Sequence, residues 1–307
     1  MVGTRLTRVA LRVTTDPQPY RRLLQRHLPH LAKLRARSID TGWACFVLDI
    51  DRTWIARFPR DQAMSRAVEV EVRLLHELER RLRVPVPHYE HVARDAEGRI
   101  RFVVYRKLEG VPLPSRGLVG READAWERRL ADLLASLARF PRERAMKLGI
   151  AWADRGDTLG RWEWLYPRVR RYVHPRLSVR VRERDSDYWK EYLKGERTAR
   201  RRPVLSHGDL APEHILVQGP RVTGILDWES ACFEDVAALP TGLPRANGFM
   251  ARVATRFLRE SDPDLFRRIA FHWHASPAYS VLYGLNTRDP TRVREALELY
   301  RRTLPQR

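Results

Sequence analysis

Between residues 204 and 235 the chain reads VLSHGDLAPEHILVQGPRVTGILDWESACFED, and no other segment restricts its fold and chemistry as much. Val204-Leu205 ends an apolar strand that delivers His207-Gly208-Asp209. His214, five residues past the aspartate, opens a second apolar run, Ile215-Leu216-Val217, and Gly219-Pro220 makes the turn that follows. A third run, Val222 to Leu226, then presents Asp227-Trp228. A carboxylate in a tight loop, a metal-type ligand and a second carboxylate after a hairpin suit phosphoryl transfer. One carboxylate orients a hydroxyl, and the other joins the ligand on a magnesium ion that bridges phosphates. Taken alone, His-Gly-Asp is also a common polar turn. A two-metal hydrolase built on His207, Asp209, His214 and Asp227 would need further clusters upstream. The remaining histidine pairs, His88-x-x-His91 and His272-x-His274, stand in unrelated contexts.

The spacing matches the kinase loop H-R-D-L-x-x-x-N followed by D-F-G, with Gly208 for Arg, His214 for Asn and Asp227-Trp228 for Asp-Phe. HGDLAPEHILV followed by ILDW resembles the aminoglycoside phosphotransferase family, which also holds macrolide kinases and relatives of choline and fructosamine kinases. The resemblance implies a protein-kinase-like fold that moves the γ-phosphate of ATP or GTP onto a small-molecule hydroxyl, with Mg2+ as cofactor. It implies Asp209 as the catalytic base, His207 as a loop-holding member of the same motif, and His214 and Asp227 as the metal ligands. Most of the family has Asn where His214 stands, and a minority similarly carries His.

A nucleotide-gripping lobe should precede this motif. Residues 43–49 and 53–58 are rich in aromatic and β-branched types around Asp51-Arg52 and predict a hairpin. The preceding segment 38–42 would cover phosphates through its backbone, Gly42 included, and through the Thr41 or Ser38 hydroxyl, although it has one glycine where protein kinases have three. Arg57 stands where the family has a phosphate-gripping Lys or, in some members, Arg, and Arg60 is a nearby competitor. Residues 62–83 have apolar side chains at 67, 70, 74, 75 and 78, which is helical spacing. Glu71 on that helix resembles the glutamate that pairs with the phosphate-gripping residue, with Glu69 and Glu77 as competitors. Residues 101–105 predict a strand. By resemblance it runs into an interlobe hinge at Arg106, Lys107 and Leu108, with Leu216 and Ile225 facing the purine. Structurally, both are also ordinary core strand residues.

Composition bounds the remainder. At 307 residues the chain suffices for one two-lobed domain. Two distant cysteines without metal or redox spacing fit a reducing compartment, and no apolar stretch reaches membrane-spanning length. The expectation is a cytoplasmic protein without membrane attachment. The net charge of +20 comes chiefly from Arg and is spread along the chain. Segment 161–202, dense in Arg and interleaved with aromatics, admits a nucleic-acid surface. It equally fits helices with an aromatic face and a basic coat. No nucleic-acid motif is present, so a nucleic-acid partner is not expected.

The expected architecture is α+β. Residues 1–107 form a nucleotide-gripping lobe with a five-stranded antiparallel sheet and one key helix. Residues 108–118 form a hinge and linker, and 119–307 form a larger, mainly helical lobe. Helices are predicted over 120–139, 262–275 and 290–303, with Pro240 and Pro244 as breaks. Partners are a nucleoside triphosphate and a small acceptor bearing a hydroxyl. For a cationic acceptor, Glu229, Glu234 and Asp235 are the acidic candidates near the chemistry. The family usually reads Asp-x-x-x-Asp from 235, but Leu239 fills the second place here. A macrolide or other non-cationic acceptor therefore stands beside an aminoglycoside. A third reading, from another class, is an impaired kinase fold acting as a nucleotide or nucleic-acid binding module.

Overall fold

The computed structural model describes residues 16–39, 44–152, 158–198, 203–257 and 264–305. Thr41 and Gly42 of the expected phosphate-covering segment lie outside the described residues.

The first lobe is built on strands β1 (Ala36–Ile39), β2 (Cys45–Ile50), β3 (Trp54–Pro59), β4 (Tyr89–Arg94) and β5 (Ile100–Arg106). They form one antiparallel sheet in the order β1-β2-β3-β5-β4. Asp51 and Arg52 turn β2 into β3 with φ of 52° and 58°. This left-handed turn has the sense that matches the twist of paired strands. Period-two alternation gives the sheet two apolar faces. On one, Phe46, Leu48, Phe58 and Phe102 pack with Leu24 of α1 (Gln18–His27) and Leu31 of α2 (Pro29–Ala32). On the other, Cys45 and Val103 meet Val68 of α3 (Gln62–Leu78). Asp61 caps α3 by accepting a hydrogen bond from the Met64 amide at 2.9 Å. The helix ends at Leu78, the last of its periodic apolar positions and five residues before the end of the expected segment, where Glu79–Arg83 turn the chain toward Val84-Pro85.

The second lobe begins with β6 (Val111–Pro112), which pairs with β8 (Ile215–Gln218), and β8 pairs in turn with β9 (Arg221–Ile225). β7 (Val204–Ser206) pairs with β10 (Cys232–Glu234). Around these lie α4 (Gly120–Ala138), α5 (Arg142–Leu148), α6 (Thr158–Arg168), α7 (Val179–Thr198), α8 (Phe249–Phe257), α9 (Leu265–Thr287) and α10 (Pro290–Thr303). α9 carries Pro277 in its interior and runs past it, with the ring buried in packing. The helix expected to end near 275 therefore continues for three further turns.

Two cores organise this lobe. One joins Leu74, Leu75 and Leu78 of α3 to Leu130 and Leu134 of α4, Ile215, Ile225, Phe249 and Ile269, so the lobes share continuous apolar packing. The other is aromatic, with Trp162, Trp189, Tyr192, Phe271 and Tyr300 packed among α6, α7, α9 and α10. Tyr192 stacks on Phe271 with centroids 3.4 Å apart. Within 161–202, Trp162, Leu165, Trp189 and Tyr192 are buried while most of the arginines face outward, which is the helical alternative for that segment. No helix of the described residues is long and apolar enough to cross a membrane.

Candidate active site

β7 ends in a loop whose shape is dictated by one glycine. Gly208 has φ of +80°, and a Cβ there would sit 2.0 Å from the Ser230 carbonyl oxygen. Only glycine meets both demands. On its left, His207 is buried, and burial pushes its pKa down to about 3, so the ring is neutral. Its Nε2–H donates to the Leu226 carbonyl at 2.8 Å, while Nδ1 accepts from the Asp209 amide at 3.3 Å. One imidazole therefore ties the Asp209 loop to the strand end that presents Asp227. The Asp209 side chain is 56% exposed and stands free to meet a solute. Partial burial nevertheless raises its pKa, against the lowering effect of His214, and Glu213 and Glu229 raise it further.

His214 closes a short helical turn after the loop. Its Nδ1 lies 2.7 Å from the Asp209 carbonyl oxygen, which can only accept, so Nδ1 carries the hydrogen. In the neutral ring the lone pair is then on Nε2, which faces Asp227 Oδ2 at 3.4 Å. The hairpin β8–β9 brings Asp227 there, and Leu226 donates its amide to the His214 carbonyl at 2.8 Å. Asp227 itself has φ 67° and ψ 59°, a left-handed conformation unusual for a side-chain-bearing residue. Such backbone conformations persist where surrounding structure over-determines them. Here Trp228 does so, with its indole donating to the Ile225 carbonyl at 3.0 Å and its amide to Glu71 Oε1 at 3.1 Å.

Arg57 crosses from the first lobe to this point. Its Nη1 donates to Glu71 at 2.8 and 3.1 Å and to the Tyr89 hydroxyl at 3.0 Å. Its Nη2 donates to Asp227 Oδ1 at 2.8 Å and Glu229 Oε2 at 2.5 Å. Arg57 and Glu71 are both buried, whereas Glu69 pairs with Arg94 and Glu77 with Arg81 and Arg144. Burial pushes the Glu71 and Glu229 carboxyls up, and the Arg57 charge opposes it. Arg57 stays fully charged, since its carboxylate neighbours outweigh burial.

The other expected residues are distributed as follows. Arg106 stacks over Trp54 at 4.5 Å and pairs with Glu90, and Lys107 pairs with buried Asp49 at 2.8 Å. The Lys107 amide donates to Thr53. Leu108 lies against Gly224, where a Cβ would meet it at 2.7 Å, and Leu216 borders the same glycine. Ile225 is buried in the main core. Glu229 points at Arg57, Glu234 pairs with Arg161 at 2.9 Å, and buried Asp235 pairs with Arg268 at 2.8 Å. Of the three carboxylates proposed for a cationic acceptor, each is held by an arginine. Tyr89 was not singled out from the sequence. Thirty-two residues separate it from Arg57, and no spacing rule joins a strand's first residue to a side chain two strands away. Among the described residues no group of three or more His, Cys, Asp or Glu forms a ready metal cage.

Comparison with known proteins bears on the family and the fold. A sequence model described as the phosphotransferase enzyme family matches residues 14–238. The protein YcbJ of Bacillus subtilis (strain 168), itself uncharacterized, is 26% identical over 214 residues, which cover 62% of this chain and 61% of that protein. The alignment thus spans about three fifths of the curated relative. Among solved structures, the GDP and kanamycin complex of APH(2″)-IIIa superposes with a TM-score of 0.85 at 24% identity, covering 94% of this chain and 98% of that one. The macrolide 2′-phosphotransferase MphH from Brachybacterium faecium superposes with a TM-score of 0.68 at 22% identity, covering 94% and 99%. These likenesses establish the two-lobed, kinase-like fold.

Proposed function

The chain belongs to the phosphotransferase enzyme family, and we propose that it transfers the γ-phosphoryl group of ATP or GTP to a hydroxyl of a small-molecule acceptor. The observation that carries this reading is the convergence of His214 Nε2 and Asp227 Oδ2, 3.4 Å apart, beside the Arg57 fork and the exposed Asp209 carboxylate.

Two protein ligands fit a magnesium ion that comes with its nucleotide, because such ions keep waters and phosphates for the remaining positions. His214 offers one lone pair and Asp227 one oxygen. Bound there, magnesium would neutralise the phosphate charge that grows during transfer. Arg57, steadied by Glu71, aims its guanidinium at the same phosphates. Asp209 orients the acceptor hydroxyl and takes its proton as the oxygen attacks the γ-phosphorus. The bond to the bridging oxygen breaks, and the nucleoside diphosphate leaves. His207 is neutral and bound at both nitrogens, so it positions the loop and carries no proton. Backbone groups of residues 106–108 hold the base. Positioning and charge neutralisation supply most of the rate.

For the acceptor, the pairing of Glu229, Glu234 and Asp235 with Arg57, Arg161 and Arg268 favours a macrolide-like or other non-cationic compound over a polycationic aminoglycoside. The solved neighbours include a kanamycin complex and a macrolide phosphotransferase, so both classes belong in the assay. A cytoplasmic setting fits Cys45 and Cys232, which form no disulfide among the described residues. The test is nucleoside-diphosphate release from Mg-ATP and Mg-GTP against aminoglycosides, macrolides, sugars and amino alcohols. Acceptor-dependent release that Asp209→Asn lowers by about a thousandfold is expected. Nucleotide binding without release by any acceptor, or full turnover in the variant, would contradict the assignment.

A further inference from the structure

Four side chains converge on Arg57, and two of them, Tyr89 and Glu229, have no task in the reaction as described. We propose that Glu229 is a positioning residue for phosphoryl transfer. It holds the second nitrogen of the Arg57 fork in place when Asp227 turns to its metal. This inference rests on the phosphotransferase reading.

The geometry divides the guanidinium in two. Nη1 is secured inside the first lobe by Glu71 and Tyr89, whereas Nη2 reaches across the cleft to Asp227 and Glu229. A nitrogen of this kind has two hydrogens and here has two acceptors. Were Asp227 to hold a cation through Oδ2 beside His214, the cation would draw charge from Oδ1, and the Nη2 hydrogen bonded there would be the one to turn to a phosphate oxygen. Glu229 retains the other hydrogen, so the fork keeps its plane through the exchange. Its side chain is 11% exposed against 38% for Asp227, which sets it behind the cleft wall and away from an entering nucleotide.

The residue type at position 57 explains why a second anchor is required. A lysine is a point charge that one carboxylate can hold, whereas arginine is a planar fork whose direction depends on both ends. Glu71 alone would fix one end and leave the plane free to turn. The charge balance agrees, since three carboxylates, Glu71, Asp227 and Glu229, surround one guanidinium. The site holds more carboxyl groups than cations, an imbalance that an arriving divalent cation would offset.

A double-mutant cycle of Arg57→Lys and Glu229→Gln tests this, read by melting temperature, Mg-nucleotide Kd and steady-state kinetics. With Arg57 present, Glu229→Gln should lower kcat about ten- to a hundredfold while KM for nucleotide moves by less than about threefold, the mark of misdirection. With Lys at 57 the same substitution should cost almost nothing, and it should raise the melting temperature, because Glu229 there is a buried carboxylate without its partner. Equal losses in both backgrounds would reduce Glu229 to a packing residue and overturn the proposal while leaving the phosphotransferase reading intact. Absence of Mg-nucleotide binding by the unsubstituted protein would sink both.

Discussion

The cleft and the helical lobe each bury carboxylates among cations, but they balance the charges differently. In the helical lobe Asp185 is buried on α7 and accepts from His174 at 2.7 Å, His274 at 2.6 Å and the Tyr300 hydroxyl at 3.0 Å. Asp235 is matched by Arg268 at 2.8 Å, with His272 at 3.6 Å. Each carboxylate there has at least one cationic or imidazole partner of its own, and the clusters join α7, α9 and α10 as closed units. Around Arg57 the ratio is inverted, with three carboxylates sharing one guanidinium and, at Asp227 alone, the His214 imidazole 3.4 Å away, and Asp227 is left 38% exposed. Balanced burial holds helices together, whereas a local excess of one sign prepares a site for something that brings the other.

The largest effect should come from removing the one cation that serves three anions. Arg57→Ala strands Glu71, Asp227 and Glu229 together, and denaturant unfolding should show a loss of about 3–5 kcal/mol. A loss near zero would mean that the pairs are not formed in solution. Asp185→Asn sharpens the contrast from the other side. It should cost about 3 kcal/mol and leave nucleotide affinity where it was, as titration of the folded variant would show. A matching fall in affinity would erase the distinction between the two regions.

Acid should separate them next. Burial would raise the Asp185 carboxyl, but hydrogen bonds and charge from His174 and His274 outweigh it and hold the carboxyl below its ordinary value. A lowered folded value means that this stabilisation is complete above about pH 4 and is lost as pH falls through the folded value. Glu71 and Glu229 are shifted the opposite way by burial, so they contribute no such acid-sensitive stability. Protected amides in α7 and α10 should therefore open on acidification in step with Asp185 protonation. Unchanged exchange down to that range would count against the cluster's charge. At the small end, Glu163→Gln removes an exposed pair with Arg197 at 3.2 Å and should shift the melting temperature by less than about 2 °C. A larger shift would show that surface pairs matter here as much as the two buried regions.

What the sequence made legible follows the range of the forces involved. The loop around Asp209 and the hairpin to Asp227 depend on local turns and alternation that the spacing of HGDLAPEHILV and ILDW carries. The first-lobe hairpin is legible around Asp51-Arg52, and the full five strands come only with the family resemblance. Helical periodicity places Glu71 on its helix, and the family resemblance, not periodicity, selects it over Glu69 and Glu77. The link of Arg57 to Glu229 joins residues 172 apart, and Tyr89 enters from a third element. No one-dimensional pattern encodes such meetings, because tertiary packing decides them. The buried Asp185 cluster was hidden for another reason. His174 and Asp185 sit in the arginine-rich segment 161–202, whose composition suggests a solvated face, while His274 comes from the mainly apolar α9, 89 residues from Asp185. α9 outran its expected end because packing around Pro277 offsets the hydrogen bond that proline removes.

The surplus of carboxyl groups at Asp227, Glu229 and Glu71 over the single Arg57 guanidinium is what, in the function we propose, prepares this cleft for a nucleotide with its metal. The most direct test is the Kd of ATP and GTP, measured by calorimetry with Mg2+ and with EDTA, for the unsubstituted protein and for Asp227→Asn. The account predicts that Mg2+ tightens binding at least about tenfold in the former, and that Asp227→Asn abolishes most of that gain. Equal affinity with and without the cation, or a gain that survives in Asp227→Asn, would contradict it.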